Sequence, residues 1–283
     1  MKTGLMLNAD LMQGAKILAT AREAESMGFH TLWVPEIFGR EPFVMAASVL
    51  AATERVRVGT AIANVYVRDA MATKAGAFTL ADLYGDRFSL GLGVSNVVGN
   101  ELRGHSWLPP VDKLEGYLDA FEGWQLQFPA TGQPPVYLAA HGPKLIDFAR
   151  RRTNGAFMYL TTSAYLAEAA RELSGKELLV MQPVAVHEDL EEARRLARRT
   201  VRIYTDLPNY QRAWRAQGFS EADFKDGPSD ALLDALVALG PRSRVQEKLA
   251  ERKQAGATHM ILIPTNLTEA RTPDWSRLEG LIS

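Results

Sequence analysis

Polar side chains follow most of the apolar, strand-like runs of this sequence, at the point where each run ends. They are Asn8, Glu36, Asn64 with Tyr66 and Arg68, Ser95 with Asn96, His141 with Gly142, Tyr159, and Thr265 with Asn266. In parallel α/β folds the carboxyl ends of the strands form the functional edge. Amides and hydroxyls dominate the set, whereas classical acids, bases and nucleophiles are few.

Three missing patterns narrow the reaction class. No His-x-His pair or cluster of His, Asp and Glu stands at metal-ligand spacing near a strand end, which disfavours a metal-dependent hydrolase and predicts no metal site. No lysine lies inside a strand facing the expected site, which disfavours Schiff-base chemistry. Neither a G-x-S-x-G motif nor a Ser-His-Asp order appears. The chemistry that remains is that of a bound cofactor, which the protein orients.

Two loops could bind an anionic group of such a cofactor. Ser95 follows the fourth strand-like run, and the sequence "AAHGP" at 139–143 joins the fifth run to a helix. Small residues let a phosphate approach the backbone, and a helix N-terminus offers free N–H groups and a favourable dipole. Gly142 and Pro143 could equally be turn residues without a ligand. On the residues alone, both interpretations stay open.

Eight apolar runs predict the strands that position these side chains. The runs cover 3–8, 31–36, 55–63, 87–94, 135–141, 155–161, 177–187 and 258–265. Most are continuously apolar, as in "TLWV" and "HMILI", which is typical of strands buried on both faces. Helix-like segments alternate with them and indicate a parallel sheet. The count of eight, without G-x-G-x-x-G after the first run, favours a (β/α)8 TIM barrel of the α/β class over an open sheet.

Similar helices are predicted at the two ends of the barrel. One covers 11–27 and ends at Gly28, and the other begins at Pro241 and ends at Gly256, because glycine tolerates the left-handed conformation of a C-cap. Between the seventh and eighth strands, region 186–240 predicts an amphipathic helix and two further helices. We interpret this region as a helical insertion, so that residues 1–283 form a single domain.

Composition excludes several other functions. Hydrophobic residues make up 47% and charged residues 23% of the chain, and the net charge is -1 without a basic stripe. Binding of nucleic acid or of a membrane surface therefore has no electrostatic support. The absence of cysteine excludes disulfides and thiolate chemistry. The first residues make a poor signal peptide, since Asn8 and Asp10 interrupt them, and no apolar segment is long enough to span a bilayer, so we predict a cytoplasmic protein.

Several segments resemble a known family. They are "AREAESMGFHTLWVPE", "VRVGTAIANVYVRDAMATKAGAFTLADLYGDRFSLGLGVS", "PPVYLAAHGPKLIDFARRRTNGAFMYLT" and the later "AGATHMILIP". In order, they resemble the luciferase-like monooxygenase superfamily, particularly its branch of coenzyme F-420-dependent oxidoreductases. The helix-Gly-strand pattern is common to many barrels, whereas "GTAIANVYVRD" followed by "GDRFSLGLGVS" is distinctive.

The resemblance implies a cradle for a flavin or deazaflavin ring. The third strand would end in a bulge at Ala61 and Ile62, with a cis bond behind the tricyclic ring, although "AIA" could also be ordinary strand sequence. Asn64 would lie near the ring. The remaining residues that the resemblance and their strand-end positions assign to cofactor binding are Asn8, Val94, Ser95, Ala140, His141 and Gly142, of which the last five would hold the phosphate-bearing tail.

Glu36 and Asn96 are the candidate catalytic residues. Glu36 would face the reactive side, where it could orient a proton or substrate, or it could instead form an ion pair with Arg40 or Arg68. Two positions depart from the family. Ile37 stands where many relatives have a histidine, and Asn96 stands where some deazaflavin dehydrogenases have a glutamate, so no particular proton relay transfers to this chain.

The sequence supports one leading function and two alternatives. The leading hypothesis is hydride transfer between coenzyme F-420, an 8-hydroxy-5-deazaflavin, and a small organic substrate. The first alternative is an FMN-dependent monooxygenase that receives reduced flavin from a partner reductase. The second is a non-catalytic flavin-binding protein, since no general base is evident. A homodimer is predicted, with the Ala-rich segment 43–52 as one candidate contact.

Overall fold

The computed structural model describes residues 1–282. The strands are β1 Lys2–Met6, β2 Thr31–Val34, β3 Arg57–Thr60, β4 Ala63–Asn64, β5 Phe88–Gly93, β6 Val136–Ala139, β7 Gly155–Tyr159, β8 Glu177–Val186, β9 Ala238–Gly240 and β10 His259–Pro264. The helices are α1 Gly14–Ser26, α2 Pro42–Ala52, α3 Ala70–Tyr84, α4 Val97–Leu102, α5 Pro110–Gly123, α6 Pro143–Arg152, α7 Ser163–Leu173, α8 Leu190–Val201, α9 Pro208–Ala216, α10 Asp230–Leu236, α11 Arg242–Gln254 and α12 Trp275–Leu278.

The sheet closes on itself. Its order is β10-β1-β2-β3-β5-β6-β7-β8, every pairing along this path is parallel, and β8 pairs with β10 to complete the ring. The β8–β10 register runs from Leu179 opposite His259 to Val184 opposite Pro264. This confirms the predicted closed eight-stranded barrel, whose strand carboxyl ends meet at one mouth.

The core has two layers because successive side chains of each strand point to opposite faces. Residues such as Leu5, Leu32 and Val58 face outward and pack under the helices. The inward-facing residues fill the barrel interior, and they are Met6, Trp33, Ala61, Tyr137, Phe157, Leu179 and Ile261. Both layers are apolar, which explains why the strands are apolar along their whole length.

Two interior glycines make room for the aromatic side chains of the barrel. A Cβ atom on Gly59 would collide with the indole ring of Trp33, and one on Gly91 would collide with Thr60 O and the ring of Phe157. Trp33 and Phe157 meet edge to face, with their ring centroids 5.0 Å apart. The glycines of β3 and β5 therefore allow the barrel to be filled by large rings on the other strands.

The insertion between β8 and α11 is helical, as predicted. Helices α8, α9 and α10 form their own hydrophobic cluster, in which Trp214, Phe224 and Leu233 are fully buried. The insertion also contains a strand that the sequence did not predict. Three residues, Ala238–Gly240, pair with the last residues of β8, and a run of three is too short to show a periodicity.

Two predicted boundaries were wrong in detail. The helix predicted over 11–27 begins at Gly14, because Ala9–Leu11 forms a separate 3-10 turn. Arg40 stabilises that turn, since its guanidinium donates to the carbonyls of Ala9 at 3.0 Å and Met12 at 2.8 Å. The strand predicted over 55–63 is divided into β3 and β4 by a bulge. Over residues 1–282, no helix combines the length and apolar character needed to cross a membrane.

A buried histidine lies at the amino-terminal end of the barrel. His259, at the start of β10, is 4% exposed, and its Nε2 atom has no hydrogen-bond partner within the described part of the chain. Burial lowers the pKa of His259 from 6.5 to about 3, and the neighbouring His30 adds to this effect. His259 is therefore neutral in the folded protein throughout the range in which an exposed histidine would gain a proton.

We expect the fold to lose stability in mild acid for this reason. In the unfolded chain His259 binds a proton below about pH 6.5, whereas in the folded chain it binds one only near pH 3. Between these two values acid favours the unfolded chain. The free energy of unfolding therefore falls as the pH falls from 6.5 towards 3. One such group contributes at most about 1.4 kcal/mol per pH unit. Urea unfolding of the wild type and of His259→Gln between pH 7 and 5 measures this contribution. Equal slopes in the two proteins would show that His259 is not responsible.

Candidate functional site

Small side chains form an apolar floor at the barrel mouth, on the side of β3, β5 and β6. The floor consists of Ala61, Ile62, Gly93 and Ala139. A Cβ atom on Gly93 would lie 2.9 Å from Cγ1 of Ile62 and 3.1 Å from Cβ of Ala139, so these residues meet closely. Larger apolar side chains stand on other strands that line the mouth, and they are Met6, Met181 and Ile263. These contacts make the floor closely packed and apolar.

The bulge between β3 and β4 forms the edge of this floor. The peptide bond between Ala61 and Ile62 is cis, at the position that the resemblance implied. Ala61 N donates to Val34 O at 2.8 Å, which holds the start of the bulge on β2. Asn64 N donates to Oε2 of Glu36 at 2.7 Å, which holds its end. Glu36 thus fixes the backbone beside the floor.

Both carboxylate oxygens of Glu36 are occupied. The guanidinium of Arg68 donates to Oε1 at 2.8 Å and to Oε2 at 3.1 Å, and the Glu36 side chain is only 6% exposed. Burial alone would lower the pKa of Arg68, but Glu36 and Glu41 outweigh this effect and raise it. Of the two arginines considered as partners, the structure selects Arg68. In this arrangement Glu36 supports the bulge, and its catalytic role stays a prediction.

A pair of asparagines connects the bulge to the loop after β5. Nδ2 of Asn64 donates to Oδ1 of Asn100 at 2.8 Å, and Nδ2 of Asn100 donates to the carbonyls of Val94 at 2.7 Å and Asn96 at 3.0 Å. Oδ1 of Asn64 accepts from Tyr66 N. Asn100 was not predicted as a site residue, and it is fully buried. Its signal was weak, since one asparagine in a helix-like stretch suggests a surface position.

The two polar residues after β5 have different environments. Asn96 is the N-cap of α4, and its Oδ1 accepts from Gly99 N at 2.8 Å. This contact gives Asn96 a structural role, as is usual for asparagine before a helix. Ser95 is exposed at the rim and has a φ of 57°. Its hydroxyl makes no hydrogen bond with another described residue, so it can contact a ligand at the mouth.

Thr265 and Asn266 extend the sheet past the end of β10. Thr265 Oγ1 donates to Val184 O, while the Asn266 amide accepts from Val186 N and donates to Val186 O. These contacts fully explain the polar character of the two positions. Trp33 is a core residue, since it is 1% exposed inside the barrel.

His141 lies at the carboxyl end of β6, beneath the insertion. Its ring packs edge to face on Tyr210 of α9, with centroids 4.7 Å apart. Burial lowers the pKa of His141 to about 4, so the ring is neutral. The next residue, Gly142, is the N-cap of α6, and Ala140 is buried. The predicted tail-binding residues of this loop are therefore together at the start of a helix.

Unsatisfied polar atoms concentrate at the mouth. Within residues 1–282, six buried side-chain polar atoms lack a hydrogen-bond partner, and three of them follow barrel strands at their carboxyl ends. These three are Oδ1 of Asn8, Nδ1 of His141 and Oγ1 of Thr161. A buried polar atom without a partner costs about 1–3 kcal/mol, so such atoms usually meet a ligand or an ordered water. The mouth is thus suited to a bound group with polar substituents.

Thr161 is a further candidate that sequence reasoning missed. The segment after β7 contains two adjacent threonines. Thr162 caps α7 by accepting from Tyr165 N at 3.2 Å, whereas Thr161 is 3% exposed and its hydroxyl has no partner among the described residues. Only the structure distinguishes the capping threonine from the ligand-facing one, because Thr161 and Thr162 are the same residue type and are adjacent in the sequence.

The insertion covers one side of the mouth with neutral aromatic side chains. Tyr159 at the end of β7 meets Tyr204 and Tyr210, with centroid distances of 5.2 and 6.3 Å. Burial raises the pKa of all three phenols, so they stay uncharged. Helix α9 is also anchored to the barrel, since Trp214 Nε1 donates to Leu160 O at 3.0 Å. This side of the mouth offers rings and phenol groups without charge.

A cavity of about 200 Å³ lies away from the mouth. It is lined by Met1, Thr3 and Met260, near the amino-terminal ends of β1 and β10, and by residues of α11. None of the predicted site residues lines it. The convergence of strand ends and unsatisfied atoms makes the mouth the better candidate for chemistry, whatever the size of this other cavity.

The comparisons with known proteins identify the family of this chain. In a parallel barrel the active site forms at the mouth where the strand carboxyl ends meet, and a site poor in acids and bases suits a bound cofactor. The family model for luciferase-like monooxygenases matches residues 1–259. The chain belongs to the luciferase-like monooxygenase family, and it is an oxidoreductase of that type.

Two curated relatives share a name. The chain is similar to the 5,10-methylenetetrahydromethanopterin reductase of Archaeoglobus fulgidus, with 22% identity over 286 residues that cover 84% of this chain and 86% of that protein. It is also similar to the reductase of that name from Methanolobus tindarius, with 27% identity over 162 residues. That second match covers 50% of this chain and 49% of the relative, so it spans about half of each.

Two solved structures have the same fold. An F-420-dependent secondary alcohol dehydrogenase, in complex with an F-420-acetone adduct, superposes with a TM-score of 0.73 at 15% identity and covers 93% of each chain. The oxygenating constituent of 3,6-diketocamphane monooxygenase from Pseudomonas putida, in complex with FMN, has a TM-score of 0.68 at 15% identity and covers 93% of this chain and 91% of its own. At these identities the likeness shows the fold alone.

Proposed function

We propose that this protein is a coenzyme F-420-dependent oxidoreductase that transfers hydride between the deazaflavin and a small organic substrate at the barrel mouth. The observation that carries the proposal is the apolar floor of Ala61, Gly93 and Ala139 beside the unsatisfied polar atoms of the mouth. A flat ring needs an apolar surface and a few fixed polar contacts, and the mouth offers both.

The residues present fit such a cofactor. The ring would rest on the bulge at Ala61 and Ile62 and on Gly93. The phosphate-bearing tail would lie along Ser95 and the start of α6 at Gly142, where free N–H groups favour an anion. When bound, the deazaflavin accepts or donates a hydride at its C5 atom. The chain itself orients the ring and shields it from water with the aromatic residues of the insertion.

FMN is the second candidate cofactor. The similar structure from Pseudomonas putida holds FMN, and an apolar floor does not distinguish a flavin from a deazaflavin. An FMN monooxygenase would in addition need reduced flavin from a partner reductase. Two similar proteins favour F-420. The dehydrogenase with a TM-score of 0.73 is F-420-dependent. A relative with 33% identity over 142 residues is named as a putative F-420-dependent oxidoreductase.

Equilibrium binding followed by turnover tests the proposal. We expect the wild-type protein to bind F-420 more tightly than FMN in a fluorescence titration. We further expect the protein to oxidise or reduce members of a panel of small alcohols and carbonyl compounds with F-420. Failure to bind either cofactor would reject the proposal. Tighter binding of FMN together with oxygen-dependent turnover would favour the monooxygenase, and binding without any turnover would favour a non-catalytic flavin-binding protein.

A homodimer also stays a proposal. Its support is three exposed apolar side chains on the neighbouring helices α2 and α3. Val44 is 63% exposed, Met71 is 44% exposed and Leu83 is 66% exposed. Apolar side chains exposed to this extent on adjacent helices are typical of a surface that a partner covers.

A further inference from the structure

A small cavity lies at the mouth, between the carboxyl ends of β1 and β10. Its volume is about 40 Å³, which is room for a few water-sized atoms. Met6 and Ile263 form its apolar side, Asn8 lies at its edge, and the loop after β10 closes it with Arg271. Met6 and Ile263 also border the floor on which the proposed cofactor ring would rest. The cavity is therefore placed on the substrate side of the mouth.

Asn8 presents an unsatisfied acceptor at this cavity. Its Oδ1 atom is enclosed by the protein and accepts no hydrogen bond from any residue in 1–282. The side chain does not cap the 3-10 turn that follows it. A carbonyl oxygen in this position needs an O–H or N–H donor, which a ligand or an ordered water supplies.

Arg271, an exposed residue, places a positive charge at the edge of the same cavity. It lies in a tight loop in which Leu267 bridges to Pro273, and Thr268 N donates to Thr272 O at 2.9 Å. The loop holds Arg271 at a φ of 62°, in the left-handed region that costs a residue with a side chain about 1 kcal/mol or more. Across the described residues, its guanidinium makes neither an ion pair nor a hydrogen bond.

The other arginines around the mouth are already bound within the protein. Arg40 donates to two backbone carbonyls, Arg68 pairs with Glu36 and Glu41, and Arg103 donates to Ile37 O at 2.5 Å. These side chains hold loops together and have little capacity for a ligand. Of these arginines, Arg271 is therefore the one whose guanidinium can still bind a ligand.

We propose that this cavity is the polar subsite of the substrate, and that the substrate is a small organic carboxylate that also carries a hydroxyl or N–H group. Arg271 binds the carboxylate, for which a guanidinium offers two parallel N–H donors. Asn8 Oδ1 accepts from the hydroxyl or N–H group. The apolar remainder of the substrate lies along Met6 and Ile263, towards the floor. This inference rests on the proposed function, since it assigns the substrate of the same site.

The test uses matched ligands in place of the unidentified substrate. The probes are 2-hydroxybutyrate, its neutral amide and butyrate, and their binding to the full-length protein is measured by ligand-observed NMR titration. We expect the wild type to bind 2-hydroxybutyrate up to about fivefold more tightly than the amide, because an ion pair with an exposed arginine is worth at most about 1 kcal/mol. Arg271→Gln should remove this preference.

Two further variants complete the design. Arg199→Gln is the matched control, since Arg199 is an exposed arginine on α8, away from the cavity, and it should keep the preference for the acid. Asn8→Ala should reduce the advantage of 2-hydroxybutyrate over butyrate by about fivefold, which is the worth of one neutral hydrogen bond. Equal binding of acid and amide by the wild type would overturn the proposal, as would a preference that survives Arg271→Gln.

The outcome is independent of the cofactor. F-420 binding is titrated in the same proteins, and Arg271→Gln should leave it unchanged, because the cavity and the floor are different surfaces. If the acid preference is present and F-420 does not bind, the proposed cofactor is wrong and the subsite stands. If F-420 binds and the acid preference is absent, the subsite is wrong and the proposed function stands.

Discussion

Replacing Arg252 by alanine is expected to lower the free energy of unfolding by about 3–5 kcal/mol. Arg252 lies on α11 and is 0% exposed. Its guanidinium donates to Oε1 of Gln182 at 2.9 Å, to Oγ of Ser163 at 2.8 Å and to the carbonyl of Ala235 at 2.8 Å. These acceptors belong to β8, the start of α7 and the end of α10. One side chain therefore connects the insertion to the barrel.

The size of this effect follows from burial. Burial lowers the pKa of Arg252 to about 10, so the guanidinium is still charged at neutral pH. Alanine would leave several enclosed acceptors without a donor, and each costs about 1–3 kcal/mol when unsatisfied. It would also leave a void that the helices around it could fill only in part.

Chemical denaturation at pH 7 measures the loss. Lys253→Ala is the matched control, because Lys253 is the next residue of α11 and is exposed, and we expect it to change stability by about 0.5 kcal/mol or less. Arg252→Lys should lie between the wild type and Arg252→Ala, since lysine keeps the charge with fewer donors. A loss below about 1 kcal/mol for Arg252→Ala would show that the neighbouring acceptors find other partners.

The barrel could be predicted because its signals are local. A strand buried on both faces must be apolar along its length, so "TLWV" and "HMILI" identified β2 and β10 without knowledge of their neighbours. The sequence signals for the ends of α1 and α11 are equally local. Gly28 and Gly256 both have a positive φ, at 89° and 102°, which is the conformation that glycine adopts most readily after a helix.

The site could be predicted only as a set of positions, because the partners of its side chains are distant in sequence. Glu36 had Arg40 four residues away and Arg68 thirty-two residues away, and the nearer arginine turned out to bind backbone carbonyls. Asn100 and Thr161 gave no sequence signal, since their roles depend on which neighbouring group is already satisfied. Such hydrogen-bond partners are brought together only when the barrel closes, so they cannot be predicted from the neighbouring residues in the sequence.

Gly93→Val is expected to weaken binding of the proposed F-420 cofactor by roughly 5- to 150-fold and to lower the thermal stability of the protein as well. Gly93 faces the mouth at the end of β5, where even a Cβ atom would lie 2.9 Å from Ile62 and 3.1 Å from Ala139. The remaining atoms of valine would extend over the floor, and overpacking costs about 1–3 kcal/mol. Fluorescence titration with F-420 measures the affinity, and thermal unfolding measures the fold.

The comparison with Gly116→Val separates a blocked floor from a general effect of valine. Gly116 is exposed on α5 and has open space around its Cα atom, so the same substitution there should leave F-420 binding unchanged. Gly93→Ala should reduce the affinity for F-420 less than Gly93→Val does, because alanine adds fewer atoms over the floor. If Gly93→Val remains folded and binds F-420 within twofold of the wild type, the ring does not lie on this floor.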